Sequence, residues 1–149
     1  MPTPFSGGCA CGAIRYECSA APLFSANCHC RDCQRASGSA FASALIVPKT
    51  AFTLTKGTPQ YHQVTADSGQ TMERGFCPVC GSPLLVNWSA APTLVMIQAA
   101  SLDDPSWHRP TMDCWTASAQ PWDHMNPTLQ KFERRATEEQ LKELLTSRG

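Results

Sequence analysis

The sequence predicts a mainly β domain, and three observations carry that prediction. Twelve prolines are spread through 149 residues, and each removes an amide donor that a helical bundle would need. Several short stretches alternate apolar and polar residues with period two, the mark of half-buried strands. Only one segment combines a helix start signal with an apolar stripe at helical spacing, and it lies near the C-terminus.

In chain order, residues 5–8 read as a flexible lead-in to a cysteine pair. Residues 13–18 then place Ile14, Tyr16 and Cys18 on one face and Arg15 and Glu17 on the other, as a strand does. If that strand starts early, Cys9 and Cys11 point to the same side. A turn at 19–22 leads to a short strand at 23–27. A helical turn over 33–39 ends at Gly38. Residues 40–47 read as a buried strand stopped by Pro48. Further strands are expected at 52–55, 61–65, 71–76, 84–88, 93–99 and 112–115, with turns at 56–57 and 67–69 and a polar loop at 101–110. The helix is expected over 138–147. Thr137 and Gln140 form a capping box at its start, and Leu141, Leu144 and Leu145 form its stripe. Residues 1–125 thus read as one β domain and 126–149 as a C-terminal extension that carries the helix.

The bulk properties exclude several roles. The formal net charge is zero, which argues against nucleic acid or an anionic membrane as a partner. Met1 to Cys9 has neither the basic nor the apolar part of a secretory signal. The longest apolar run, 41–47, is too short to cross a bilayer. The expected location is the cytoplasm. There, nine cysteines, an odd number, favour metal binding over a disulfide framework.

Seven of those cysteines fall in three tight clusters: Cys9 and Cys11, then Cys28, Cys30 and Cys33, then Cys77 and Cys80. Such close pairs are poor disulfide partners but aim two thiolates at one point. Four thiolates close a tetrahedral zinc site, and three leave a place for water or a substrate sulfur. Cys77-Pro78-Val79-Cys80-Gly81 reads as a zinc-knuckle turn, and with Cys9 and Cys11 it makes a four-sulfur structural site. Cys28, Cys30 and Cys33 are left as an open site. Three thiolates make a zinc ion a weak Lewis acid that suits a further thiolate. The chemistry expected there is presentation of a small thiol to an electrophilic carbon.

Arg31 and Arg35 flank the open cluster, either as guanidinium partners for the carboxylates of an acidic thiol or as a solvated surface pair. His29 is expected to face away from Cys28 and Cys30, and Asp32 to bond backbone amides of the turn. His62, His108 and His124 read as structural or surface residues. Cys18 and Cys114 read as buried thiols. Trp88, Trp107, Trp115 and Trp122 read as core rather than pocket.

The segments 7–16, 28–38 and 74–84, with weaker similarity through 99–105 and at Pro121-Trp122, resemble the glutathione-dependent formaldehyde-activating enzyme family, which includes the centromere protein V domain. The resemblance implies a β-tent (Mss4-like) zinc-binding fold of short antiparallel sheets. It implies one structural zinc on Cys9, Cys11, Cys77 and Cys80, and a second, exchangeable zinc on Cys28, Cys30 and Cys33. It also implies carbon–sulfur lyase chemistry that joins glutathione and formaldehyde as S-hydroxymethylglutathione. Two other readings stand beside this one: a non-enzymatic zinc module that binds a protein, and a thiol or metal buffer that exchanges metal or oxidises.

Overall fold

The structure is a computed structural model that describes residues 2–66 and 68–146. Asp67 of the expected 67–69 turn and Ser147 of the expected helix lie outside the described residues. Among the described residues the chain forms eleven strands in two sheets and two α-helices. The mainly β expectation, with a C-terminal helix, matches this architecture.

The small sheet has three antiparallel strands: β1 (Phe5–Gly8), β2 (Arg15–Cys18) and β5 (Phe52–Lys56), in the order β1-β2-β5. Residues 5–8 are therefore a strand and not a flexible lead-in. Phe5 is buried with its ring 5.3 Å from that of Trp107. Gly7 pairs with Tyr16, and the backbone comes so close that a Cβ on Gly7 would meet Ser101 O and the Tyr16 hydroxyl at 2.3 Å. Glycine admits this approach, and with no side chain it hid the strand from a pattern search.

The large sheet contains β3 (Phe24–Cys28), β4 (Ala42–Pro48), β6 (Gln60–Thr65), β7 (Thr71–Phe76), β8 (Pro83–Trp88), β9 (Leu94–Gln98), β10 (Met112–Cys114) and β11 (Gln130–Lys131). Their order is β11-β10-β3-β4-β9-β8-β7-β6. This sheet is antiparallel except at one edge, where β10 runs parallel to both β3 and β11. That edge departs from the wholly antiparallel expectation. Parallel pairing needs a long crossover, and the chain between β3 and β10 supplies it.

The two sheets enclose the core. Ile14, Tyr16 and Cys18 of the small-sheet side meet Leu45, Val47, Leu85, Val95 and Ile97 of the large sheet. Tyr16 is 1% exposed, and its hydroxyl finds the Ser101 hydroxyl at 2.7 Å, so the one polar atom on that ring has a partner. The tryptophans meet their core expectation in part: Trp107 packs against the core, but none is fully buried and Trp122 is 64% exposed.

Helix α1 (Arg31–Ser37) begins two residues earlier than expected. Cys30 caps it, accepting from the Cys33 amide at 3.3 Å, and Gly38 closes it with its amide on Gln34 O at 2.9 Å. Helix α2 (Glu138–Thr146) shows the capping box. The Gln140 amide donates to the Thr137 hydroxyl at 3.2 Å, and the Thr137 amide donates to Gln140 Oε1 at 2.8 Å. Its Leu141, Leu144 and Leu145 line a groove of about 170 Å³ with Leu23, Phe24 and Trp107. Among the described residues no helix is long and apolar enough to cross a membrane.

Candidate metal centres

The folded chain gathers the seven clustered cysteines into two groups. In each, the sulfurs lie within 4.8 Å of one another: Cys9, Cys11, Cys77 and Cys80 in one, and Cys28, Cys30 and Cys33 in the other.

The first group joins two turns. Cys9 to Gly12 is a tight turn closed by the Gly12 amide on Cys9 O at 3.2 Å, so Cys9 and Cys11 converge through a turn and not through strand alternation. Cys77 to Gly81 is the expected knuckle. The Gly81 amide bonds Cys77 O at 2.8 Å, and φ of +77° at Gly81 is the left-handed value that glycine tolerates. Ser82 ties the two turns together: its hydroxyl accepts from the Ala10 amide at 3.0 Å and lies 3.1 Å from Cys80 Sγ. Cys9 and Cys77 are buried, Cys77 fully, while Cys11 and Cys80 reach solvent.

Tetrahedral thiolates at about 2.3 Å from a zinc ion stand about 3.8 Å apart. Here Cys9 and Cys11 Sγ are 3.6 Å apart, and Cys11 and Cys77 Sγ 3.8 Å apart. The Ile14 amide points at Cys9 Sγ at 3.2 Å, a bond that favours a thiolate. The Ser82 hydroxyl and amide pull the Cys80 thiol down to about 5. At Cys11 the Ala13 amide pulls down, but burial and the thiols of Cys9, Cys80 and Cys77 outweigh it and push the group up to about 11. Four thiolates this close cannot all ionise without a cation among them. Spacing and donor set both fit a zinc ion.

The second group is assembled differently. Cys28 ends β3, Cys30 caps α1 and Cys33 lies in the first turn of α1. All three are half-buried. Bonds from the Cys28 and Cys33 thiols, helped by the Cys33 amide and the Arg74 charge, hold Cys30 down at about 2. The same crowding pushes Cys28 up, through Cys114 and Cys30 first, and pushes Cys33 up, through Cys28 and Cys30 first. Among the described residues, no fourth cysteine, histidine or carboxylate ligand atom joins this set. The cluster thus fits a soft metal ion held on three sides.

Strand alternation separates this cluster from His29. Cys28 pairs with Cys114, and Asn27 with Asp113, so thiols and carboxylate take opposite faces of the sheet. His29 is 0% exposed and turns toward the carboxylates. Its Nε2 lies 2.9 Å from Asp113 Oδ1, and its Nδ1 3.2 Å from Asp123 Oδ2. Asn27 Nδ2 at 3.1 Å and Lys131 Nζ at 3.0 Å also reach Asp113. Burial pushes the Asp113 carboxyl up, but bonds from His29, Lys131 and Asn27 bring it below the usual carboxylate range. This polar knot braces the loop that carries Cys28 and Cys30.

The remaining sequence candidates are placed as follows. The Arg31 guanidinium donates to the side chain of Gln34, itself buried and bonded to His29 O and Ser118 O. Arg35 is exposed in the last turn of α1. Cys18 is buried as expected, but Cys114 is only half-buried because it shares the open face with Cys28. His62 and His124 are exposed, and His108 meets Ser43 Oγ at 2.7 Å. Sequence reasoning assigned no role to Arg74, Asp113 or Asp123. Arg74 had a faint signal, an arginine inside a strand that runs into a cysteine knuckle. The two aspartates had none, because their partner His29 lies far away in the chain.

Two cysteine clusters on a two-sheet frame define a β protein with two groups of sulfurs that could each hold a metal ion, one of four and one of three. The sequence matches the model of the glutathione-dependent formaldehyde-activating enzyme family over residues 4–118, and the chain belongs to that family. No curated protein matches the chain. A crystal structure of a Rhodobacter sphaeroides protein shares the fold, with a TM-score of 0.56 and 18% identity over 85% of this chain and 98% of that one.

Proposed function

We propose that the protein is a carbon–sulfur lyase of the family's kind, joining a small thiol to an aldehyde, with glutathione and formaldehyde as the pair. In this reading Cys9, Cys11, Cys77 and Cys80 hold a structural zinc, and Cys28, Cys30 and Cys33 hold a second, exchangeable zinc at the reacting centre. When bound there, zinc supplies a place where a thiol sulfur is deprotonated near neutral pH. The single observation behind the reading is the half-buried three-sulfur cluster that no fourth side chain completes among the described residues.

The chain's own groups have separate tasks. Cys28, Cys30 and Cys33 form the thiolate-rich set that favours a sulfur ligand. Arg31 and Arg35, on the helix that carries Cys33, take carboxylates of the thiol. The reaction adds the thiolate sulfur to the carbonyl carbon. The carbon–sulfur bond forms, the π pair moves to oxygen, and water supplies the proton; the reverse step breaks the same bond. The reaction is placed in the cytoplasm, where glutathione is the main small thiol.

Calorimetry with glutathione and S-methylglutathione on zinc-loaded protein tests this. A preference for the free thiol that Cys30→Ser removes is expected, together with exchange of the glutathione–formaldehyde adduct above the uncatalysed rate. If neither thiol-dependent binding nor acceleration appears, the enzyme reading fails and a non-enzymatic zinc module takes its place.

A further inference from the structure

Arg74 belongs to the strand that feeds the closed centre, yet it serves the open one. Its Nη2 lies 3.6 Å from Cys33 Sγ. Strand registers explain the reach. Arg74 pairs with Val86, Val86 with Met96, and Met96 with Ile46. Ile46, Ala44 and Ala42 share a face by alternation, and Ala42 pairs with Cys28. Arg74 and Cys28 thus stand on one face of the large sheet, and α1 lies over that face with Cys33.

A recess opens at this place. It holds about 20 Å³ and is lined by Arg74, Ala36, Ser37, Ala42, Val86 and Gln98, among others. Ala42 is the cross-strand neighbour of Cys28, and Ala36 and Ser37 follow Cys33 by three and four residues on α1. The recess therefore lies about one helical turn beyond Cys33, with Arg74 common to the recess and the thiolate cluster and none of the three cysteines in its lining. Its volume admits a group about the size of one water. Its one cationic lining residue is half-buried and already turned toward a ligand sulfur.

We propose that Arg74 is a catalytic residue that holds the oxygen of the carbonyl carbon while the thiol adds to it. The inference rests on the lyase reading above. As the sulfur–carbon bond forms, the carbonyl π pair becomes negative charge on oxygen. A guanidinium aimed at that oxygen stabilises it without a change in its own protonation, and the proton comes from water. In the reverse direction the same contact steadies the alkoxide from which the thiolate departs. Small side chains at 36, 37 and 42 leave room there for the oxygen of a one-carbon unit.

The competing role is purely supportive: Arg74 neutralises Cys33 and only keeps the metal in place. Arg74→Met and Arg74→Lys separate the two, read by zinc content, by calorimetry with glutathione in the presence and absence of formaldehyde, and by magnetisation exchange between adduct and free thiol. The proposal expects Arg74→Met to keep both zinc ions and its glutathione affinity within about twofold, and to lose exchange about a hundredfold. Wild-type protein should bind glutathione more tightly with formaldehyde present; that gain should disappear in Arg74→Met, and Arg74→Lys should recover part of both. Ala36→Leu, at an exposed helix position that borders the recess, should likewise spare glutathione binding and lower exchange. It keeps the test open if Arg74→Met fails to fold. Unchanged exchange in Arg74→Met or in Ala36→Leu overturns the proposal. So does loss of the second zinc in step with activity, which assigns Arg74 the supportive role. A wild-type protein without acceleration would instead remove the lyase reading itself, and this proposal with it.

Discussion

The two cysteine centres use the same ligand atom and are built in opposite ways. The closed centre joins the turn before β2 to the turn after β7, segments some 66 positions apart in the chain. The open centre takes all three sulfurs from Cys28 to Cys33, within one strand end and one helix turn. Burial does not follow that division: in the closed centre Cys9 and Cys77 are sunk in the core and Cys11 and Cys80 reach solvent, while Cys28, Cys30 and Cys33 are all half-buried. Sequence separation decides what a metal does for the fold. A metal across distant segments closes a long loop and contributes to folding directly. A metal on one local loop adds little to chain organisation and is free to exchange.

The largest effect is expected at the closed centre. Cys77→Ser removes a buried ligand from a centre whose metal contributes of the order of 10 kcal/mol in small zinc domains, against a typical whole-domain stability of about 5–15 kcal/mol. The variant should lose secondary structure or aggregate, as circular dichroism and zinc analysis will record. A folded variant with intact melting would break the comparison at its root.

Next comes the polar knot behind the open centre. Asp113→Ala leaves His29 Nε2 and Lys131 without their carboxylate in a buried place, a loss of about 3 kcal/mol. The Asp113 carboxyl lies below its ordinary value in the folded protein. Its contribution is therefore complete above the unfolded value near 3.8 and fades as pH falls through the lower folded value. Urea melts of wild type and Asp113→Ala should differ at pH 7 and converge in strong acid.

Cys30→Ser should remove the open-site metal and shift the melting temperature by no more than about 4 °C. Thermal destabilisation as large as that of Cys77→Ser would erase the structural difference between the centres. The smallest effect is expected at Asp103, which accepts from Arg15 and from Ser6 at 2.6 Å on the surface of the small sheet. The pair is substantially exposed and screened, so Asp103→Asn should cost less than about 1 kcal/mol, and less in high salt.

Much of this was legible in local sequence. The two groups of converging cysteines follow from C-x-C and C-x-x-C spacing, and most strands follow from alternation. Helix α2 follows from its capping box. Four features escaped, each for a physical reason. Residues 5–8 form a strand through two glycines that carry no pattern. The parallel edge at β10 depends on a crossover that no local window contains. Arg74 meets Cys33 through four strand registers, and Asp113 meets His29 across 84 positions. Ligand sets written in one short loop are readable; contacts that the sheet assembles are not.

The central claim is that one metal is structural and the other belongs to an open, thiol-binding place. Zinc release from loaded wild-type protein into a chromogenic chelator tests it most directly, followed with and without glutathione or S-methylglutathione. The account predicts two phases of one equivalent each. The fast phase should be slowed by glutathione, untouched by the S-methyl compound and absent in Cys30→Ser; the slow phase should ignore all three. A single phase of two equivalents, or a fast phase indifferent to the free thiol, would contradict it.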